Sequence, residues 1–227
     1  MNRRMILTAA AAFAALTFAG GALAGNETKT VPADKVFPFI TNYYALAPAD
    51  RAHFHLVYSL IGQGAKLSDI SLSLNGTPIN IGPNGVLSPL PTDSQLKAKA
   101  TVTYSRPAGS KFGISLGIFP NAQPQQTMDV RPLNQAIDEA RKGAKSMAGL
   151  LALAVPTLDR LMIYGVTSGQ VKLADGQVKP LPFTAETTDK NGGKHPAHLT
   201  YVPAGFPTAQ NLIFNATPTL LSVESKD

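Results

Sequence analysis

The 227-residue sequence contains no cysteine and no tryptophan, and only 15 % of its residues are charged. Without cysteine there is no disulfide framework, no thiol nucleophile and no thiolate metal site. A chain of this length does not need such staples, because about 200 residues bury enough apolar surface for a stable core. The low charge excludes a second class. No basic stripe with interleaved aromatics runs along any segment, so no nucleic-acid surface is expected. Long apolar runs are also missing beyond the first 24 residues; the run at 150–155 is far too short to cross a bilayer, and no transmembrane span is expected in the mature chain.

What is present begins with a leader. Arg3 and Arg4 form a basic start, residues 5–19 are almost wholly small or apolar, and Ala22-Leu23-Ala24 closes the stretch. That order is a secretory signal peptide cleaved after Ala24, placing the mature protein in the periplasm or outside the cell. The apolar run is shorter than the roughly 20 residues of a membrane anchor. No cysteine follows the cleavage site to carry a lipid. The Arg3-Arg4 pair fits both the general secretory and the twin-arginine route. From Gly25 onward, 18 basic against 14 acidic residues leave a net charge of +4.

The second feature is a repeated phrase. "PNGVLSPLP" starts at Pro83 and "ADGQVKPLP" at Ala174. Three further blocks recur in the same order. "ALAPADR" at 45–51 resembles "ALAVPTLDR" at 152–160, "TYSRPAG" at 103–109 resembles "TYVPAG" at 200–205, and "IFPNA" at 118–122 resembles "IFNA" at 213–216. Four blocks in register predict a tandem duplication: an α+β fold made of two helix-plus-antiparallel-sheet units, pseudo-twofold or two-lobed, spanning 25–127 and 128–227. Leu133, Ile137, Ala140, Ala144, Met147 and Leu151 recur at helical spacing, with Pro132 as the first helical residue. Val36, Ile40, Tyr43 and Ala47 predict the matching helix, limited by Pro38. Leu96, Ala98, Ala100, Val102 and Tyr104 alternate with Lys97, Lys99 and hydroxyl residues, which predicts a strand from 96 to 105. Phe112, Ile114, Leu116 and Ile118 predict the next. Asn84-Gly85 and Asp175-Gly176 read as tight turns, and each Pro-Leu-Pro as a strand stop. Residues 69–81 form an extra hairpin around Asn75-Gly76, which the second copy lacks.

Catalytic signals are sparse. Gly113–Gly117 fits G-x-S-x-G, with Asp175, Asp189, His195 and His198 downstream in the order of a serine hydrolase. Ser115, however, sits in an alternating strand where that chemistry needs a strand-to-helix elbow. His53 and His55 share a strand face, and His195 and His198 form a second pair. These four are the metal-ligand candidates, set against exposed strand histidines as the default. No carboxylate stands at ligand spacing beside either pair, and Leu161 aligns with His55. "GQGAK" at 62–66 lacks a phosphate loop's spacing. Asp138 and Glu139 read as a solvated helix face, and Tyr43 and Tyr44 as partly buried helix aromatics. No cofactor is implied.

The resulting expectation is an exported, non-enzymatic binding or protein-interaction module of the cell envelope. Its partner is expected to be an envelope protein, met at Ser71, Ser73, Asn75 and Gly76 on the extra hairpin. Two alternatives accompany it: a carrier of a small apolar ligand between helix and sheet, and a hydrolase or metal-binding protein.

Overall fold

The computed structural model describes residues 25–63, 65–148, 157–188 and 194–226. The leader, Asp189 and Leu151 therefore lie outside the described residues. The described residues divide into two compact units: residues 25–46 with Leu56–Gly117, and Ala47–His55 with residues 118–226.

Up to Pro120 the elements are β1 (Asn26–Pro32), α1 (Ala33–Val36), α2 (Ile40–Ala45), β2 (Phe54–Gln63), β3 (Ser71–Leu74), β4 (Thr77–Ile81), β5 (Leu87–Ser88), α3 (Asp93–Lys97), β6 (Thr101–Pro107) and β7 (Lys111–Pro120). An antiparallel sheet runs in the order β1-β6-β3-β4-β5, and β2 pairs with β7. One face of the larger sheet is core: Leu72, Leu74, Ile79, Val102 and Tyr104 are all buried. Alternation of apolar and hydroxyl residues produces that face, since successive strand side chains point to opposite sides. Below it, the ring of Phe37 meets Tyr58 edge-on at 5.2 Å, and the Tyr58 hydroxyl donates to the Pro38 carbonyl at 2.6 Å.

Two expectations about this unit need correcting. Leu96 and Ala98 do not begin a strand. Thr92 and Gln95 form a reciprocal capping box, the Thr92 hydroxyl accepting from the Gln95 amide and the Gln95 side chain from the Thr92 amide. That cap starts α3, Lys99 turns left-handed at φ 58°, and the strand opens only at Thr101. The helix expected over 36–47 is likewise two short pieces. Pro38 removes a backbone donor, and Phe39 reverses the chain at φ 66° before α2 starts.

The remaining elements are β8 (Thr127–Asp129), α4 (Val130–Ala148), β9 (Leu158–Tyr164), β10 (Gly169–Leu173), β11 (Val178–Pro180), β12 (Phe183–Thr184), β13 (Thr187–Thr188), β14 (Lys194–His195), β15 (His198–Tyr201), β16 (Ala209–Phe214) and β17 (Leu220–Ser225). They form two four-stranded antiparallel sheets, β8-β16-β10-β11 and β12-β15-β9-β17, and the ribbon β13–β14. α4 packs on β9, β17 and β16, strands of both sheets. Its buried stripe is Leu133, Ala136, Ile137 and Ala140, with Ala144 half-buried on the same side. Burying each large member contributes about 1.5–3 kcal/mol. The helix starts two residues earlier than Pro132 predicts, because the Asp129 carboxylate accepts from the Arg131 amide at 2.8 Å and so caps the first turn. Pro132 is tolerated there because first-turn amides have no helical partner.

The twin phrases do adopt one turn. The Gly85 amide donates to the Gly82 carbonyl and the Gly82 amide to the Val86 carbonyl; Gly176, Leu173 and Gln177 repeat the pattern. Gly85 and Gly176 have φ of 79° and 83°, where glycine alone is unstrained. The strands β5 and β11 end at the following Pro-Leu-Pro, at Ser88 and Pro180. The turns nevertheless join different strands, β4 to β5 in one case and β10 to β11 in the other. The "TYSRPAG" strand, β6, pairs with β1 and β3, whereas the "TYVPAG" strand, β15, pairs with β12 and β9. The established architecture is therefore mixed α+β, dominated by antiparallel sheet.

Candidate functional site

The 69–81 hairpin forms as the sequence predicts. Asn75 and Gly76 take φ of 49° and 85°, the left-handed pair of a two-residue hairpin turn. Its position is different from that of an added flap. β3 lies inside the sheet, paired with β6 on one side and β4 on the other, so it offers no free edge. Asn75 is committed to that sheet as well: its amide donates to the Thr101 carbonyl and its side-chain oxygen accepts from the Thr101 amide, both at 2.9 Å.

Ser71 and Ser73 remain available, and the ladders extend them into a surface. Ser71 pairs with Ser105 and Ser73 with Thr103. Across β6, Ser105 and Thr103 pair with Thr28 and Thr30 of β1. Across β4, Asn80 pairs with Ser88. Paired residues share a face, so these side chains cover the solvent side of the sheet. Strand geometry spaces them about 4.8 Å across and about 6.7 Å along. Thr28, Thr30, Ser71, Asn80 and Ser88 are exposed, and Ser73, Thr103 and Ser105 half-buried. No charged side chain stands among them, because Glu27, Lys29 and Arg106 alternate onto the opposite face. Among the described residues, one internal hydrogen bond ties these hydroxyls together, Thr30 to Thr103 at 2.8 Å. Beside Ser71, Pro78 and Asn80 a groove of about 610 Å³ opens to solvent.

A second concavity, of about 480 Å³, is lined by Leu181, Phe183, Leu199, Ile213 and Asn215, with Phe183 48 % exposed. Neither of these two concavities is lined by an α-helix.

The histidines separate into two groups. His53 immediately precedes β2 and His55 lies at its start. The Glu139 carboxylate grips His53 twice, Oε2 accepting from the backbone amide at 2.8 Å and Oε1 lying 2.6 Å from Nδ1. His55 Nδ1 lies 2.7 Å from Asn121 Oδ1. Glu139 is thus no solvated helix residue; its side chain is 16 % exposed. Sequence reasoning missed it because the partner lies 86 positions away. The available signal was its place beside small residues, Ala136, Ala140 and Gly143, which let another segment approach the helix. His195 lies in β14 opposite Thr187, and His198 Nδ1 faces the Pro196 carbonyl at 3.0 Å. Among the described residues, no group of three or more His, Asp or Glu side chains is placed to hold a metal.

Ser115 lies in the middle of β7, not at a turn into a helix, so the nucleophile elbow is not formed. Asp175 is used by its own turn, accepting from the Gln177 amide at 2.9 Å. Burial raises the Tyr58 phenol well above the ordinary tyrosine value, with nearby Tyr44 adding to the shift. Burial also raises Tyr201, partly offset by its hydrogen bond to Asn134. No helix among the described residues is long and apolar enough to cross a membrane. Comparison with protein-family models, curated proteins and solved structures finds no match to the chain.

Proposed function

We propose that the protein is an exported, non-enzymatic binding module of the cell envelope, and that its partner docks on the hydroxyl face of the β1-β6-β3-β4-β5 sheet. The observation that carries this reading is the face itself. Ser71 and Ser73 belong to a continuous, uncharged array on five strands, most of it exposed, that ends in the groove at Ser71, Pro78 and Asn80. Each hydroxyl exchanges a water hydrogen bond for a partner's and contributes about 1 kcal/mol or less. A useful affinity therefore needs many of them at once, on a partner offering uncharged donors and acceptors along an extended stretch. The leader ending at Ala24 supports export.

Tandem duplication forms part of the same proposal, in a register set by strand pairing and not by the repeated phrases. In each half an edge strand (β1, β8) leads into helix, then a strand (β2, β9), a hairpin (β3–β4, β10–β11) and two late strands (β6–β7, β16–β17). The pairing orders β1-β6-β3-β4 and β8-β16-β10-β11 then coincide, as do β2-β7 and β9-β17.

The test replaces Ser71 and Ser73 together by glutamate. Both lie on the solvent side of the sheet, Ser71 exposed and Ser73 half-buried, so the melting temperature should be kept, and two charges set into the uncharged array should abolish the complex that chemical crosslinking captures in the envelope. A folded variant that still yields the full complex would refute docking on this face.

A further inference from the structure

His53 immediately precedes β2 and His55 lies in it; Phe54 and Leu56 are buried while both histidines reach solvent, so the two rings lie on the same, outer side of the chain. Each Nδ1 is already engaged by an oxygen that cannot donate. For His53 this is the Glu139 carboxylate at 2.6 Å. For His55 it is the Asn121 side-chain oxygen at 2.7 Å, and the orientation of that amide is fixed by its other end, where Nδ2 donates to the Ala52 carbonyl at 2.7 Å. In each ring Nδ1 is therefore the donor, which leaves Nε2 as the nitrogen turned away from these partners. The orienting groups are themselves held. Glu139 accepts the His53 amide through its second oxygen, and the Asn121 amide donates to the His53 carbonyl at 2.8 Å. Histidines that donate Nδ1–H to a carboxylate or an amide oxygen and keep Nε2 for the ion are what metal sites present.

We propose that Nε2 of His53 and Nε2 of His55 are the two protein ligands of a site for a divalent transition-metal ion of the copper and zinc class, with Glu139 and Asn121 orienting the rings. Imidazole nitrogen selects that class over calcium and magnesium, which take oxygen ligands. The His53 side chain is 34 % exposed and His55 is exposed, so an ion reaches both from solvent. With two protein ligands the remaining positions belong to water or to an oxygen donor from outside, which makes the site one for an exchangeable ion. This site is independent of the docking face; either can fail without the other.

Cu²⁺ is the probe, titrated into the mature protein and followed by calorimetry and electron paramagnetic resonance. The wild type should bind one equivalent with a two-nitrogen signature, and Zn²⁺ should compete for the same site only in excess, since imidazole ligands hold Cu²⁺ more tightly. His55→Ala should remove one nitrogen and lower affinity at least 10-fold. Glu139→Gln keeps a single acceptor and should weaken binding about 10-fold or more, the usual effect of losing an orienting carboxylate. His195→Ala with His198→Ala should change nothing. Thermal melts establish that each variant is folded, and His55→Ala, whose side chain is exposed, keeps the test decisive should His53→Ala unfold. Stoichiometry and spectrum unchanged in folded His55→Ala, or lost only with His195 and His198, would overturn the assignment.

Discussion

Gly85 and Gly176 occupy the same left-handed turn position in the twin phrases, and a methyl group added to each distinguishes their surroundings. At Gly176 an added Cβ meets nothing within 4 Å. Gly176→Ala then carries only the left-handed penalty, about 1–2 kcal/mol, part of which is returned by a stiffer unfolded chain. At Gly85 the same Cβ falls 2.3 Å from the Leu60 carbonyl oxygen and 3.3 Å from the Leu60 backbone nitrogen. Backbone, unlike a side-chain tip, cannot swing aside. Relief means separating the segments and weakening the 2.8 Å hydrogen bond from the Leu60 amide to the Gly85 carbonyl. Crowding of this kind costs about 1–3 kcal/mol and the bond about 1 kcal/mol. Gly85→Ala should therefore be destabilising by about 3–6 kcal/mol, roughly 2–4 kcal/mol beyond Gly176→Ala. Urea unfolding should show the difference as a lower midpoint at unchanged slope. In thermal melts, a chain of about 200 residues should show a gap of roughly 4–16 °C. Equal losses at the two glycines would refute the reasoning, since the left-handed conformation alone would then account for both.

Two further outcomes follow from the same physics. Tyr58 has its folded-state pKa raised by burial, so its contribution is fully present below the unfolded tyrosine value near 10 and is lost as pH rises toward the folded value. Tyr58→Phe should cost about 1 kcal/mol at pH 8 through the orphaned Pro38 carbonyl and flatten the decline above pH 10; urea midpoints from pH 8 to 11 check this, and an unchanged alkaline limb would contradict it. The exported protein should begin at Gly25, which N-terminal sequencing of the form recovered outside the cytoplasm tests directly.

Local patterns carried some of this structure and long-range pairing carried the rest. The stripe on α4 and the Asn75-Gly76 hairpin were legible because helical spacing and a left-handed turn pair are both written within a dozen residues. The segment at 96–100 misled, since Lys-Ala alternation imitates a strand while the decisive interaction is the Thr92–Gln95 cap just upstream. Repeated blocks reported shared turn chemistry faithfully but not strand order, because a turn is closed by its own residues and a sheet order is not. The hydroxyl face was visible only as Ser71 and Ser73. Thr28, Thr30, Thr103 and Ser105 join them through pairing across tens of residues. Glu139 was misjudged for the same reason: a polar helix residue looks solvated until its distant partner, here His53, is placed beside it.

The most direct measurement of the central proposal is site-specific photocrosslinking in the living cell. A photoreactive residue is placed in turn at Ser73, Thr103 and Thr28, on three neighbouring strands of the face, and at Gln135 and Lys142 on exposed positions of α4. The proposal predicts one and the same adduct from the three sheet positions, suppressed by Ser71→Glu, and none from the helix. Adducts from the helix positions with none from the sheet would contradict it.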